Sequence, residues 1–207
     1  MLVFTLSLNA LVMLLGPVVL GILLNRRLGL RWGVFLAGVA TFVGSQVVHI
    51  PLNALVKGMF SSGMIPSAPE AWQVWLTPLA FGLSAGVCEE TARYVCFRWF
   101  LPKERTFRDG LMHGAGHGGV ESMILGLLAG VGFISMFAAS SMDLTGQVPA
   151  DQLEALTAQV EGYWNTPLWM SVMGAWERIM AVTCHVAMSV MVARCLFTGR
   201  LRWFLAA

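Results

Sequence analysis

Charge is what this sequence has least of: 12% of its residues are Asp, Glu, Lys or Arg, about half the share of an ordinary soluble domain. That shortage excludes a water-soluble globule, and 57% hydrophobic residues with a mean hydropathy of +0.72 describe a chain dissolved in lipid. A formal net charge of +2 leaves no surplus of positive charge for nucleic acid. The four cysteines, Cys88, Cys96, Cys184 and Cys195, form no C-x-x-C pair and lie in apolar runs. Neither a disulfide framework nor a thiolate zinc site is indicated, and all four read as small buried hydrophobes. No basic residue precedes the first hydrophobic run, Met1 to Asn25, whereas Arg26, Arg27 and Arg31 follow it. This reverses the charge order of a secretory signal, so the run is expected to persist as a transmembrane helix. With no internal repeat, low-complexity tract or linker, residues 1–207 read as a single membrane domain.

What is present is a series of long apolar runs. At about 1.5 Å per residue a bilayer core takes about 20 helical residues, and spans are expected near 2–24, 33–56, 73–101, 110–140 and 167–198. The fold class is therefore all-α, a polytopic bundle of about five long transmembrane helices, more if the longer spans break at their glycines. Basic residues mark the cytoplasmic connectors: Arg26, Arg27 and Arg31, then Lys103, Arg105 and Arg108, then Arg200 and Arg202. The opposite connectors carry Lys57 and Glu70, then Asp143, Asp151, Glu154 and Glu161. This predicts an integral protein of a prokaryotic plasma membrane with the N-terminus outside and the C-terminus cytoplasmic. About 141–166 reads as an external loop with a short amphipathic helix at 151–160, and Trp164 and Trp169 suit a belt at the outer interface.

Ionisable groups at membrane depth are costly and face a cavity or a partner. Span three holds Glu89, Glu90 and Arg93; span four holds His113, His117 and Glu121 at successive i, i+4 spacings, on one helix face. Span five holds Glu177, Arg178, His185 and Ser189, and span two the rough stripe Gln46, His49 and Asn53. Counted from the cytoplasmic ends of their spans, Glu89, His117 and His185 all fall in the inner half of the bilayer, so three helices can aim at one point. Four glutamates against Arg93 and Arg178 leave a deficit of two positive charges, which a divalent cation or protonated glutamates would balance.

A catalytic zinc takes about three His, Asp or Glu ligands and keeps a position for water, whose pKa it lowers to around 7. His117 and His185 can supply nitrogens, and Glu121 or one of the Glu89/Glu90 pair a carboxylate, leaving a glutamate as general base. The competing reading of Glu89, Glu90 and Arg93 is an intrahelical ion pair that lowers the cost of burial. His49 by itself reads as a hydrogen-bonded packing residue. Gly114, Gly116, Gly118, Gly119, Gly126 and Gly130 read as points of close helix packing, with approach of a substrate backbone the alternative at Gly118 and Gly119.

The run Cys88-Glu89-Glu90-Thr91-Ala92-Arg93-Tyr94, then Gly116-His117-Gly118-Gly119-Val120-Glu121, then Glu177-Arg178 followed by His185 and Ser189, resembles the YhfC branch of the CAAX-protease and bacteriocin-processing (CPBP) intramembrane metalloproteases. The resemblance covers roughly residues 40 to 195, with three motifs in the family's order on three separate spans. It implies that Glu89 or Glu90 activates a water, that His117 and His185 bind the metal, and that Ser189 takes the place of the oxyanion-stabilising polar residue. Two departures stand out. Arg93 follows the glutamate pair after two residues, as in the YhfC-like form, where the wider superfamily has three. His113 occupies a position where an aromatic is usual, as a third ligand or a polar neighbour. The function expected is a metal-dependent, zinc-using intramembrane endopeptidase acting on a membrane-associated peptide or protein, with Arg93, Arg178 or Ser189 stabilising the oxyanion. The alternatives are a catalytically silent membrane adaptor of the same fold, or a small proton-coupled transporter, whose usual duplicated halves are missing from the sequence.

Overall fold

The computed structural model describes residues 1–143 and 148–207. Among the described residues seven α-helices follow in order: α1 Leu2–Leu28, α2 Trp32–Ser61, α3 Glu70–Val95, α4 Phe107–Ser141, α5 Ala150–Trp164, α6 Met173–Thr198 and the short α7 Arg202–Leu205. Four segments are long and apolar enough to cross a membrane: α1, α2, α4, and Met170–Thr198, in which a 3-10 turn leads into α6. The third expected span, 73–101, is helix α3 prolonged by a π-helical turn over Cys96–Phe100, and it is not one of these four. Its 26 residues are long enough, but they include Glu70, Glu89, Glu90 and Arg93, which place it below the others in apolarity.

Helix α4 is the centre of the bundle and packs against α1, α2 and α6, while α3 lies against α2 and α6. Lipid tails give helices no hydrophobic reason to associate, so packing depends on small residues that let backbones approach. A Cβ at Gly38 would lie 2.0 Å from the His113 carbonyl oxygen, and one at Gly114 would lie 2.4 Å from the Val186 Cα. The α2–α4 and α4–α6 contacts are thus main chain on main chain. Large side chains such as Leu11, Val47, Leu128 and Ile179 are exposed on the outside, as a surface facing lipid requires.

The ends of the bundle are tied by polar contacts. Arg31 pairs with Glu104, and Arg108 donates to the Leu28 carbonyl, which brings the basic connectors after α1 and before α4 to one end. At the other end Asn9 of α1 accepts the backbone N–H of Ala175 at 2.6 Å, satisfying a donor that the first turn of α6 leaves without a helical partner. Ser171 donates to the Thr5 hydroxyl beside it.

The expectation for the cysteines needs correction. Of the cysteines, Cys96 and Cys195 are buried, but Cys88 is half-buried and Cys184 exposed, because a lipid-facing position accepts a small apolar side chain as readily as a core does. The short helix expected at 151–160 is present as α5, Ala150–Trp164, a few residues longer; residues 144–147 lie outside the described part. Trp164 is half-buried and lies against Phe133 and Phe137, with ring centroids 6.3 Å from each, and Trp169 is exposed.

Candidate metal centre

Three helices deliver the site. The last turns of α3 carry Glu89, Glu90 and Arg93, one face of α4 carries His113, His117 and Glu121, and α6 carries Glu177, Arg178, His185 and Ser189. Gly118 shapes the contact between the last two: a Cβ there would lie 2.8 Å from the His185 Cδ2, so its absence lets the imidazole lie directly on α4. Gly119 faces Pro17 in the same way. Both glycines serve packing between helices.

Glu89, His117 and His185 each offer a donor atom, and these atoms all lie within 4.8 Å of one another. Glu89 Oε2 is 3.2 Å from His117 Nε2 and 3.7 Å from His185 Nδ1, and the two imidazole centroids are 5.1 Å apart. Two ligands held at about 2.1 Å by a tetrahedral zinc lie about 3.4 Å apart, so these separations suit a single ion. His117 Nδ1 is buried with no hydrogen-bond partner among the described residues. The set is chemically mixed, one carboxylate and two imidazoles, as zinc prefers.

Arg93, fully buried, supplies positive charge to the same place. It pairs with Glu90, lies 3.5 Å from Glu89 Oε2, and places Nη2 2.6 Å from His185 Nδ1. A guanidinium is therefore held against two of the three donor atoms. The second oxygen of Glu90 is buried and has no partner among the described residues.

The remaining sequence candidates are brought near but lie outside that set of donor atoms. Glu121, expected as a possible ligand, stands on the far side of His185, accepting from Nε2 at 2.7 Å, and pairs with Arg178 at 2.9 Å. Arg178 is also bonded to Glu177, its Nε donating at 2.6 Å. Ser189, fully buried, contacts His113 Nδ1 at 3.2 Å. His113 has its other nitrogen 3.2 Å from the Thr41 hydroxyl, so both its nitrogens are occupied. It is a polar neighbour of the donor cluster and stacks on Phe97, with ring centroids 4.5 Å apart. Thr41 and Phe97 carried no motif. Thr41 precedes Ser45 and His49 by four and eight residues, and that polar spacing was the available signal. The Gln46, His49 and Asn53 stripe forms a separate network with Ser84 of α3, its distances running from 2.7 to 3.2 Å.

Compared with known proteins, the model of the YhfC intramembrane metalloprotease family matches residues 11–207. The chain belongs to this family. A family member from Bacillus subtilis (strain 168), described as the uncharacterized membrane protein YhfC, is 30% identical over 201 residues, covering 90% of this chain and 72% of its own length. No solved structure matches the chain. Family membership agrees with the order of the motifs: the glutamate pair, His117 and His185 all lie within the matched region.

Proposed function

We propose that the chain is a zinc-dependent intramembrane endopeptidase that hydrolyses a bond in a membrane-associated peptide or protein. One observation carries the reading: a carboxylate and two imidazoles from three different helices put donor atoms within 4.8 Å in the interior of a membrane bundle. Packing alone gives no reason to gather them there. In this reading Glu89, His117 and His185 hold the ion, which when bound acts as a Lewis acid and lowers the pKa of water to around 7.

The chain's own groups supply the rest. Glu90 takes the proton of the attacking water on its unpartnered oxygen, while Arg93 holds its other oxygen in place. Arg93, a fixed cation among the reacting groups, also stabilises the oxyanion. Ser189 is engaged by His113, and Arg178 by Glu121 and Glu177, so the oxyanion role proposed for these two from sequence passes to Arg93. Glu90 then returns the proton to the leaving amine. The site lies in a prokaryotic plasma membrane, with the basic connectors, joined at one end by Arg31–Glu104, on the cytoplasmic side.

Metal analysis of the purified protein in detergent tests the reading. A single zinc ion per chain is expected, removed by a strong chelator together with hydrolysis of membrane-embedded peptides and restored with it. Protein that holds no metal, yet hydrolyses the same peptides at an unchanged rate with chelator present, would overturn it.

A further inference from the structure

His185 is gripped on both edges of its ring, and the two neighbours differ in kind. A guanidinium has only N–H donors and no acceptor, so the nitrogen 2.6 Å from Arg93 Nη2, Nδ1, presents a lone pair. An ionised carboxylate has only acceptors, so the nitrogen 2.7 Å from Glu121 Oε2, Nε2, carries the hydrogen. Two independent contacts on opposite edges select the same tautomer. The lone-pair nitrogen is also the one 3.7 Å from Glu89 Oε2, on the side of the donor cluster.

Glu121 is itself held. Its Oε1 lies 2.9 Å from Arg178 Nη1, and Arg178 is fixed in turn by Glu177, so a chain of alternating charge runs from the exposed Glu177 to the imidazole. His113 has no such arrangement. Its neighbours are neutral hydroxyls: Thr41, which donates its hydrogen to the Ala37 carbonyl, accepts from Nε2, and Ser189 meets Nδ1, with no charged group on either edge.

Resting on the donor set proposed above, we infer that Glu121, anchored by Arg178, is a positioning residue: it fixes His185 as the Nε2–H tautomer and makes Nδ1 the ligating nitrogen. The role differs from that of a ligand. A carboxylate on the far nitrogen of a metal-bound imidazole orients the ring and raises its basicity, and losing it typically weakens metal binding about 10–100-fold. Arg93, on the near nitrogen, holds the lone pair of Nδ1 on the side of the donor cluster.

The test titrates the full-length protein with Zn2+ in competition with a chromophoric chelator, for the parent, Glu121→Ala, Glu121→Gln and His185→Ala. The nitrogen shifts of His185 are read by 15N NMR on metal-free protein. Glu121→Ala should bind about 10–100-fold more weakly yet still fill with a single ion at saturation, and its His185 should be a mixture of tautomers where the parent has Nε2–H. Glu121→Gln, whose amide oxygen still accepts the Nε2–H bond, should fall between parent and Ala and carries the test if the Ala variant does not fold. His185→Ala should lose the ion. Binding by Glu121→Ala as tight as the parent's would overturn the inference, and so would a loss as complete as that of His185→Ala, which would make Glu121 a ligand. Should the parent bind no ion, the donor-set reading fails on its own. The NMR comparison then decides the positioning role, and an unchanged His185 tautomer in Glu121→Ala removes it.

Discussion

His113 and His117 stand four residues apart on α4 and both are completely buried, yet their surroundings are opposite in character. Around His113 every polar atom is matched: Thr41 and Ser189 take its two nitrogens and Phe97 covers the ring. Around His117 the matching is deliberately incomplete, with Glu89 on one nitrogen, nothing on the other among the described residues, and a second imidazole 5.1 Å away. Burial cannot separate the two, since it is identical. What separates them is whether both nitrogens meet hydroxyls, as in His113, or one meets a carboxylate and the other has no partner among the described residues, as in His117.

The comparison is most exposed at the donor cluster. His117→Ala should abolish both metal retention and hydrolysis, because two remaining ligands hold zinc poorly against water; metal content and peptide turnover measured on the same preparation check this. His113→Ala should keep the metal. If the two variants behave alike, the distinction between the histidines is void.

A smaller loss is expected at the glutamate pair. Glu90→Gln should retain zinc while turnover falls by roughly 10²–10⁴, the usual scale for acid–base catalysis, whereas Glu89→Gln should lower zinc affinity itself. Reversal of that pattern, with Glu89→Gln filling with metal normally and Glu90→Gln empty, would exchange the two roles.

Smaller again is the effect at the matched region. Ser189→Ala removes one partner of His113 and should cost about 1–3 kcal/mol of stability, the range for leaving a buried polar group unsatisfied, with metal content unchanged. Thermal unfolding and metal analysis separate the two. Loss of metal from this variant would show that His113 belongs to the binding cluster after all.

The last prediction leaves activity untouched and concerns which end of the bundle faces which side. In a background without reactive cysteines, Gln152→Cys should react with an impermeant thiol probe added to intact cells and Lys103→Cys should not. The opposite result would invert the orientation and put the basic connectors outside.

Much of this was legible in the sequence for a simple reason. Residues at i and i+4 share a helix face whatever the tertiary structure, so the His113, His117, Glu121 stripe was fixed by spacing alone, and the apolar runs gave each long helix within a few residues. The division of labour along that stripe was not legible. Whether Glu121 faces an ion or the back of His185 depends on how far α6 is rotated and shifted against α4, which the Gly114 and Gly118 contacts decide. The family resemblance assigns Ser189 to the oxyanion, and spacing alone does not report that its hydroxyl lies 3.2 Å from His113 Nδ1. Thr41 was missed because its partner is on another helix, and no pattern within α2 reports that.

The glycine contacts also determine how the molecule should come apart. A helix in lipid keeps its own backbone hydrogen bonds whether or not it touches a neighbour, so separating α4 from α2 and α6 costs interhelical contact and little helicity. Because the donors are distributed over α3, α4 and α6, a slip of one helix past another by a single ångström disperses them before any turn unwinds. Mild heating or a harsher detergent should therefore release the metal while the far-ultraviolet circular dichroism stays that of an intact helical protein, so helical content is a poor report of whether this protein is still assembled.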